Sequence, residues 1–401
     1  MTLLVDQDKT THTDPQAQVG TVPDKSRAAR PTSFEVSDFE VPNGREEEWR
    51  FTPVDRLGPL FSDTPTDDRD DDPAASLGVR VPDDVHVSAL VPGQAPRGSV
   101  LVPGDRGAVV ASANTAEALH VRIPAETEYA EPLRVDIHGN GAGRRSNSHI
   151  VLEAGRHSKA LVILDHTGSV DHAGNVEVVV GDGADLTVVT LQRWADDAHH
   201  LAQHEALVGR DGSYRHIAVT LGGAIMRMNS NVRYAGPGGS ATLLGVYFAD
   251  AAQHLEHRSF VDHNTPRCQS LVTYKGALQG ESAHTVWVGD VLIRAEAEGI
   301  DTYELNRNLV LSDGARADSV PNLEIETGDI AGAGHASSTG RFDDEQLFYL
   351  MSRGITEHEA RRLVVRGFFA DIIAKIGVPE VVETLMGAIE EELALDMAGA
   401  E

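Results

Sequence analysis

Between about Val79 and Ile325 the chain is a succession of short apolar runs, each bounded by Gly, Asp or Asn. His149-Ile150-Val151-Leu152, Ala160–Leu164, Val176–Val180 and Leu186–Leu191 are examples, and β-branched residues dominate them. Runs of this length and composition predict strands. The turns between them repeat. A strand, a Gly-containing turn, a small residue and another strand recur at Gly155-Arg156-His157-Ser158, Gly181-Asp182-Gly183-Ala184, Gly209–Ser213 and Gly236–Ser240, a period of about 27 residues. Ser312-Asp313-Gly314-Ala315 follows after nearly three further periods. Rungs of this size without helices between them predict a solenoid of strands, a parallel β-helix, in which each rung buries its apolar face on its neighbours. A β-sandwich also places strands at short regular spacing. The near-constant period favours the solenoid.

The flanks read differently. Residues 1–32 are polar, with scattered Pro and no apolar period, and predict a disordered tail. Residues 33–75 hold a short helical candidate at Arg45–Phe51 and an acidic linker, Thr66–Pro73, whose like charges repel. A Ca²⁺ loop there lacks the required Gly and terminal Glu. The β core spans 76–340, and 341–401 turns helical. Asp343-Asp344-Glu345 suits a helix start, and Gly354 suits its C′ position. Thr356 with Glu359 predicts a capping box for a second helix, with Ala360, Leu363, Val364, Phe368, Ile372 and Ile373 as its apolar positions. A third helix begins at Pro379 and runs through Val382, Leu385, Met386, Ile389 and Leu393. Such helices can hide the open end of a solenoid from edge-to-edge association, but they carry more apolar face than a cap requires.

A net charge of −28 argues against nucleic acid or an anionic membrane surface as a partner, since phosphate binding needs clustered Lys and Arg. No apolar run approaches twenty residues, and the first residues lack the basic start and apolar core of a secretory signal, so a cytoplasmic protein is expected. The single cysteine, Cys268, excludes an internal disulfide framework. It also excludes a self-contained iron–sulfur site, which takes about four ligands. No phosphate-binding loop, Rossmann fingerprint or G-x-S-x-G elbow occurs, so the chain is not expected to be an enzyme.

Three constellations remain. His254, His257 and His263, with Asp262 and Cys268 nearby, are ligand types that zinc or iron accepts, although solenoid rungs also display polar stacks of this kind. His199, His200 and His204 lie in what reads as a polar loop. Cys268 alone reads as a small buried hydrophobe rather than a metal ligand. His335 sits among Gly334, Ala336 and Ser337, small residues that let a backbone or partner come close. A solvated loop histidine is the plain alternative.

Several motifs carry a resemblance. Asn306-x-Asn308-Leu309-x-Leu311-Ser312, Pro321-x-Leu323-Glu324-Ile325, Gly334-His335-Ala336, Asp344–Leu350 with Ser352-Arg353-Gly354-Ile355, and Ala360-Arg361 resemble the SufB/SufD family of iron–sulfur cluster assembly proteins. Phe260-Val261-Asp262-His263-x-x-Pro266 and Glu47–Pro53 point to the SufD side of that family. The likeness covers about residues 40–380 and implies a right-handed parallel β-helix between N- and C-terminal helical segments. It implies a scaffold that pairs with a SufB-like subunit through the β-helix and docks a SufC-like ABC ATPase on its C-terminal helices. Docking candidates are Glu345, Leu347, Phe348, Tyr349, Arg353, Gly354, Ile355, Arg361 and Phe368. ATP would be bound by the partner ATPase alone, and an iron–sulfur cluster would be carried transiently by the complex, not stably by this chain. His335 matches a histidine implicated in assembly at the interface, as a ligand or a proton acceptor. Many relatives have Cys two residues earlier, where this chain has Ala333. Two alternatives stay open: a structural homodimer without chemistry, and a β-helix hydrolase or lyase acting on polysaccharide, for which no carboxylate constellation is visible.

Overall fold

The computed structural model describes residues 30–66, 71–341 and 344–395. The tail up to residue 29, Asp67–Asp70 of the acidic linker and Asp343 of the expected helix start lie outside the described residues. The segment around Trp49 forms turns rather than the expected helix. Trp49 N–H donates to Glu46 O at 2.9 Å and Thr52 N–H to Trp49 O at 3.0 Å, both three-residue turn bonds. Pro53, which disfavours helical geometry at the residue before it, ends the segment. Short 3₁₀ turns follow at Val54–Arg56 and Gly58–Phe61.

An entry region precedes the solenoid. Strands β1 (Ala75–Arg80) and β2 (His86–Leu90) lead into helix α1 (Arg106–Asn114) and β3 (Ala118–Ile123). β2 pairs antiparallel with β3, and β1 with the long strand β4 (Leu133–Ala154). Helix α1 falls inside the stretch read as strands. Its Asp105 N-cap accepts from Ala108 N–H at 2.9 Å.

From β4 onward every ladder is parallel. The strands are β5 (Lys159–Val180), β6 (Asp185–Trp194), β7 (His199–Val208), β8 (Ser213–Thr220), β9 (Ile225–Tyr234), β10 (Ser240–Ala249), β11 (His254–His263), β12 (Gln269–Leu278), β13 (His284–Ile293), β14 (Ile300–Val310), β15 (Arg316–Ile325) and β16 (Ile330–Arg341). Odd-numbered strands stack on one side in the order β5-β7-β9-β11-β13-β15, and even-numbered strands on the other in the order β6-β8-β10-β12-β14-β16. This is the solenoid that the period implied. The turn glycines permit the stacking: a Cβ on Gly181 would lie 2.8 Å from Ala154 O, and one on Gly209 2.8 Å from Val180 O.

The interior is mainly aliphatic, with Val135, Val162, Val188, Leu243, Val272 and Ile293 among its members. Both outer faces are covered as well. The N-terminal segment and α1 pack Trp49, Leu57, Phe61 and Ala111 on Leu201 and Ile225 of the odd side. On the even side lie α3 (Glu357–Ile376) and α4 (Pro379–Leu395), preceded by α2 (Asp344–Ser352). Val365, Phe369, Ile372, Ile376, Val381, Leu385 and Ile389 meet Val189, Ile217, Val219, Leu244, Val246 and Phe248. The helices therefore line the flank and do not cap the open end, and this contact accounts for their large apolar face. The expected caps form: Gly354 has φ +85°, and Thr356 Oγ1 accepts from Glu359 N–H at 3.3 Å. The fully buried stripe of α3 runs through Val365 and Phe369, one position on from Val364 and Phe368. That helix is apolar over much of its surface, so spacing alone left its orientation open. Among the described residues no helix is long and apolar enough to cross a membrane.

Candidate functional site at the open end of the solenoid

Strands β15 and β16 are the last on their sides, and each is paired along one edge only among the described residues. In the layer beneath, β13 is almost wholly buried and β14 buries alternate residues, whereas β15 is half-buried and β16 is largely exposed. His335 lies on β16 as the register partner of Glu304 on β14, and it is exposed. Gly334 next to it lies close to Tyr303 on the outer face: a Cβ there would be 3.2 Å from the ring of that exposed tyrosine. Ala333, at the position where relatives were expected to carry Cys, packs against the interior cluster.

The interior turns polar at this end. Asn306 Nδ2 donates to Tyr247 Oη at 2.9 Å and to Tyr274 O at 3.2 Å. Asn308 Nδ2 donates to Asn306 Oδ1 at 2.8 Å and to Ser319 Oγ at 3.1 Å. Glu304, beside them, is 1% exposed, and neither carboxylate oxygen has a hydrogen-bond partner among the described residues. Burial, reinforced by the charge of Asp290, pushes its carboxyl up to about 8.

The histidine clusters fall out differently from their sequence reading. His199, His200 and His204 are in strand β7, not in a loop. His199 faces outward and binds Asp171 at 2.7 Å, while His200 is buried. The His200 ring lies 5.2 Å from those of His166 and His172 and 5.4 Å from Trp194. His204 meets His216 at 3.1 Å. In β11, His257 and His263 share the inward face as expected, but six residues of strand separate them by roughly 20 Å. His257 Nε2 meets Thr220 Oγ1, and His263 Nε2 meets Ser270 Oγ, each at 2.9 Å. His254 points the other way, to Glu256 and His284. Cys268 is fully buried, 3.2 Å from Thr265 Oγ1. No group of three His, Cys, Asp or Glu that could hold a metal occurs among the described residues. Burial pushes His257, His263 and His172 down to about 3, and His166 and His216 to about 4. These imidazoles are packing groups in neutral form. For His200 and His204 the available signal was their alternation with small apolar residues along β7 (His200, Ala202, His204, Ala206, Val208).

The helical candidates separate into two sets. Phe348 and Tyr349 are 74% and 56% exposed, and Arg353 lies over the Tyr349 ring, 5.1 Å from its centre. Glu345 is exposed, Ile355 is half-buried, and Gly354 closes α2. Leu347, Arg361 and Phe368 face the protein's own fold. Leu347 is buried, Arg361 donates to Leu311 O at 3.2 Å, and Phe368 lies under Lys275 Nζ at 4.9 Å.

Comparison with known proteins bears on this arrangement. Residues 137–368 match the SufBD core domain of the SUF system of FeS cluster assembly. An iron–sulfur cluster assembly SufBD family protein of Mycobacterium bovis is 53% identical over 369 residues, covering 90% of this chain and 92% of that protein. One from Mycobacterium leprae is 51% identical over 371 residues, covering 90% and 93%. The iron–sulfur cluster assembly protein SufD of Escherichia coli is 25% identical over 264 residues, covering 63% of this chain and 61% of that protein. On the match across its solenoid and the near full-length mycobacterial likeness, this chain belongs to the SufBD family of iron–sulfur cluster assembly proteins.

Proposed function

We propose that the chain is a SufD-type, non-catalytic scaffold of the SUF machinery. In this reading it pairs with a SufB-like subunit through the open end of its solenoid and docks a SufC-like ABC ATPase on helix α2. One observation carries the pairing: among the described residues both sides of the solenoid end in strands with a free edge, β15 and β16, and His335 is exposed on the second of these. A free, regular edge is a template for strand addition by another chain. Small residues on β16 (Gly332, Ala333, Gly334, Ala336, Ser337, Ser338) let that chain approach closely. The resemblance to the protein named SufD in Escherichia coli supports the subtype.

The iron–sulfur cluster is the cargo of this assembly. His335 presents an imidazole at the junction, and the partner supplies the thiol that this chain lacks at Ala333, its one cysteine, Cys268, being buried in a turn. ATP-driven closure of the docked ATPase moves α2 against the flank of the solenoid and so shifts the paired edges. Amide hydrogen exchange tests the pairing. With a SufB-like partner present, protection rises over residues 316–325 and 330–341, and unchanged exchange there defeats the proposal. The same edges fit a second copy of the chain, a structural homodimer. Light scattering of the chain alone and with partner separates the two arrangements.

A further inference from the structure

We propose that Glu304 is a second donor beside His335, the two forming a half-site for a divalent first-row metal ion, the ferrous ion that cluster assembly consumes. The inference rests on the reading of the open end given above, and its evidence lies one layer further in.

Register places Leu243, Val272, Glu304 and His335 in one inward-facing column, on β10, β12, β14 and β16. Two successive aliphatic rungs are thus followed by a carboxyl and then an imidazole. A carboxyl at an aliphatic ladder position weakens the core unless something binds it. This protein otherwise provides for its buried carboxylates. Glu177 accepts from Gly98 N–H at 2.7 Å, Val100 N–H at 2.5 Å and Ser99 Oγ at 3.3 Å. Glu256 accepts from Thr52 Oγ1 at 2.7 Å and Arg258 Nε at 2.6 Å, with Arg227 Nε 3.4 Å away. Glu304 alone among these three has no donor on either oxygen. The nearby amides of Asn306 and Asn308 are spent on Tyr247, Tyr274, Ser319 and each other.

The opposite wall is shaped around the carboxyl. A Cβ on Gly289 would lie 2.8 Å from Glu304 Oε1 and 2.3 Å from the Trp287 ring, so only glycine leaves room for both. Above Glu304 there is a single rung, and that rung carries His335. Neighbouring strands are ~4.8 Å apart, within the reach of a glutamate side chain rotating toward the exposed layer. Carboxylate and imidazole together suit ferrous iron and its first-row neighbours. Two donors leave most of the coordination sphere open for sulfide and a partner's ligands.

The test is anaerobic titration of the full chain with Fe²⁺, and with Co²⁺ for its visible spectrum, on wild type, Glu304→Gln, Glu304→Met, His335→Ala and the Glu304→Gln/His335→Ala double variant. Wild type binds one equivalent. Each single variant weakens binding at least tenfold, and the double variant is no weaker than the weaker single, because both remove one site. Glu304→Gln and Glu304→Met also melt at higher temperature than wild type, the opposite of what a structural glutamate would show. Absence of metal binding by wild type, or unchanged affinity in Glu304→Gln, overturns the proposal. Co-elution with a SufB-like chain is followed in parallel. Intact pairing with no effect at Glu304 refutes only this inference, and lost pairing refutes the reading beneath it.

Discussion

The guanidinium of Arg227 lies 3.9 Å from the centre of the Trp49 ring and donates to Asp105 Oδ2 at 2.7 Å and Glu48 Oε1 at 2.9 Å. One buried cation on β9 thus joins the N-terminal segment, the cap of α1 and the outer face of the solenoid. Replacing Arg227 by Met leaves Asp105 and Glu256 without it, and breaking a buried pair in this way costs about 3–5 kcal/mol. Trp49→Ala removes the anchor from the other side at about 3–5 kcal/mol. Urea unfolding measures both losses. Limited proteolysis of Trp49→Ala should cut first in the N-terminal segment, and an unchanged cleavage pattern counts against the anchor.

Gly276 and Tyr247 are register partners on β12 and β10, as are Tyr274 and Gly245. A Cβ at Gly276 would lie 1.8 Å from the Tyr247 ring, and one at Gly245 2.0 Å from the Tyr274 ring. Gly276→Ala therefore displaces a fully buried tyrosine and its bond to Asn308. Overpacking of this kind costs about 1–3 kcal/mol. The melting temperature falls, and Gly276→Ala/Tyr247→Leu recovers part of the loss. No recovery would mean that the glycine acts through the backbone.

The buried histidines set the acid limit. Burial lowers His166 and His216 to about 4 and His172, His257 and His263 to about 3. The unfolded chain takes up these protons near pH 6.5, the folded chain only near 3–4. Between those limits the unfolded state holds more protons, so stability falls as pH drops from about 6.5 and is flat with respect to these groups above it. Each imidazole contributes about 1.4 kcal/mol per pH unit in that window. Denaturant titrations at pH 7.5, 6.5 and 5.5 should show the decline, and His257→Gln should reduce its slope by one proton. Equal stability at all three values would contradict the neutral packing of these rings.

Phe348 and Tyr349 give a docking test that spares the fold. Truncation at 343 would strip α3 and α4 from the sheet and expose the apolar flank, so loss of binding in that variant means little. Phe348→Asp changes an exposed side chain, and such changes stay within about 0.5 kcal/mol in stability. It should retain the wild-type melting temperature and lose SufC-like ATPase binding in pull-down or calorimetry. Retained binding excludes this face.

Cys268 is fully buried. A thiol reagent should modify no cysteine in the native protein and one after denaturation. Rapid native labelling would show that the turn before β12 opens.

Much of the architecture was legible in the sequence because it is encoded locally. Glycine turns at a fixed period set the rungs, and Gly354, Thr356 and Pro379 marked helix boundaries that caps and fixed dihedrals impose. The loop reading of His199, His200 and His204 failed for a physical reason. Each central strand is covered on both faces, inside by its own stack and outside by the N-terminal segment or by α3 and α4, so polar and apolar positions no longer alternate. His200 then looks like loop polarity.

What the sequence determined by itself is the solenoid, its helical tail and the place of His335 in the chain just before that tail. Tertiary structure alone decided what that histidine stands on. Val272, Glu304 and His335 are separated by a full rung at each step, and Gly289 reaches Glu304 from the opposite side. Such neighbours come from register between distant strands, which no local pattern specifies.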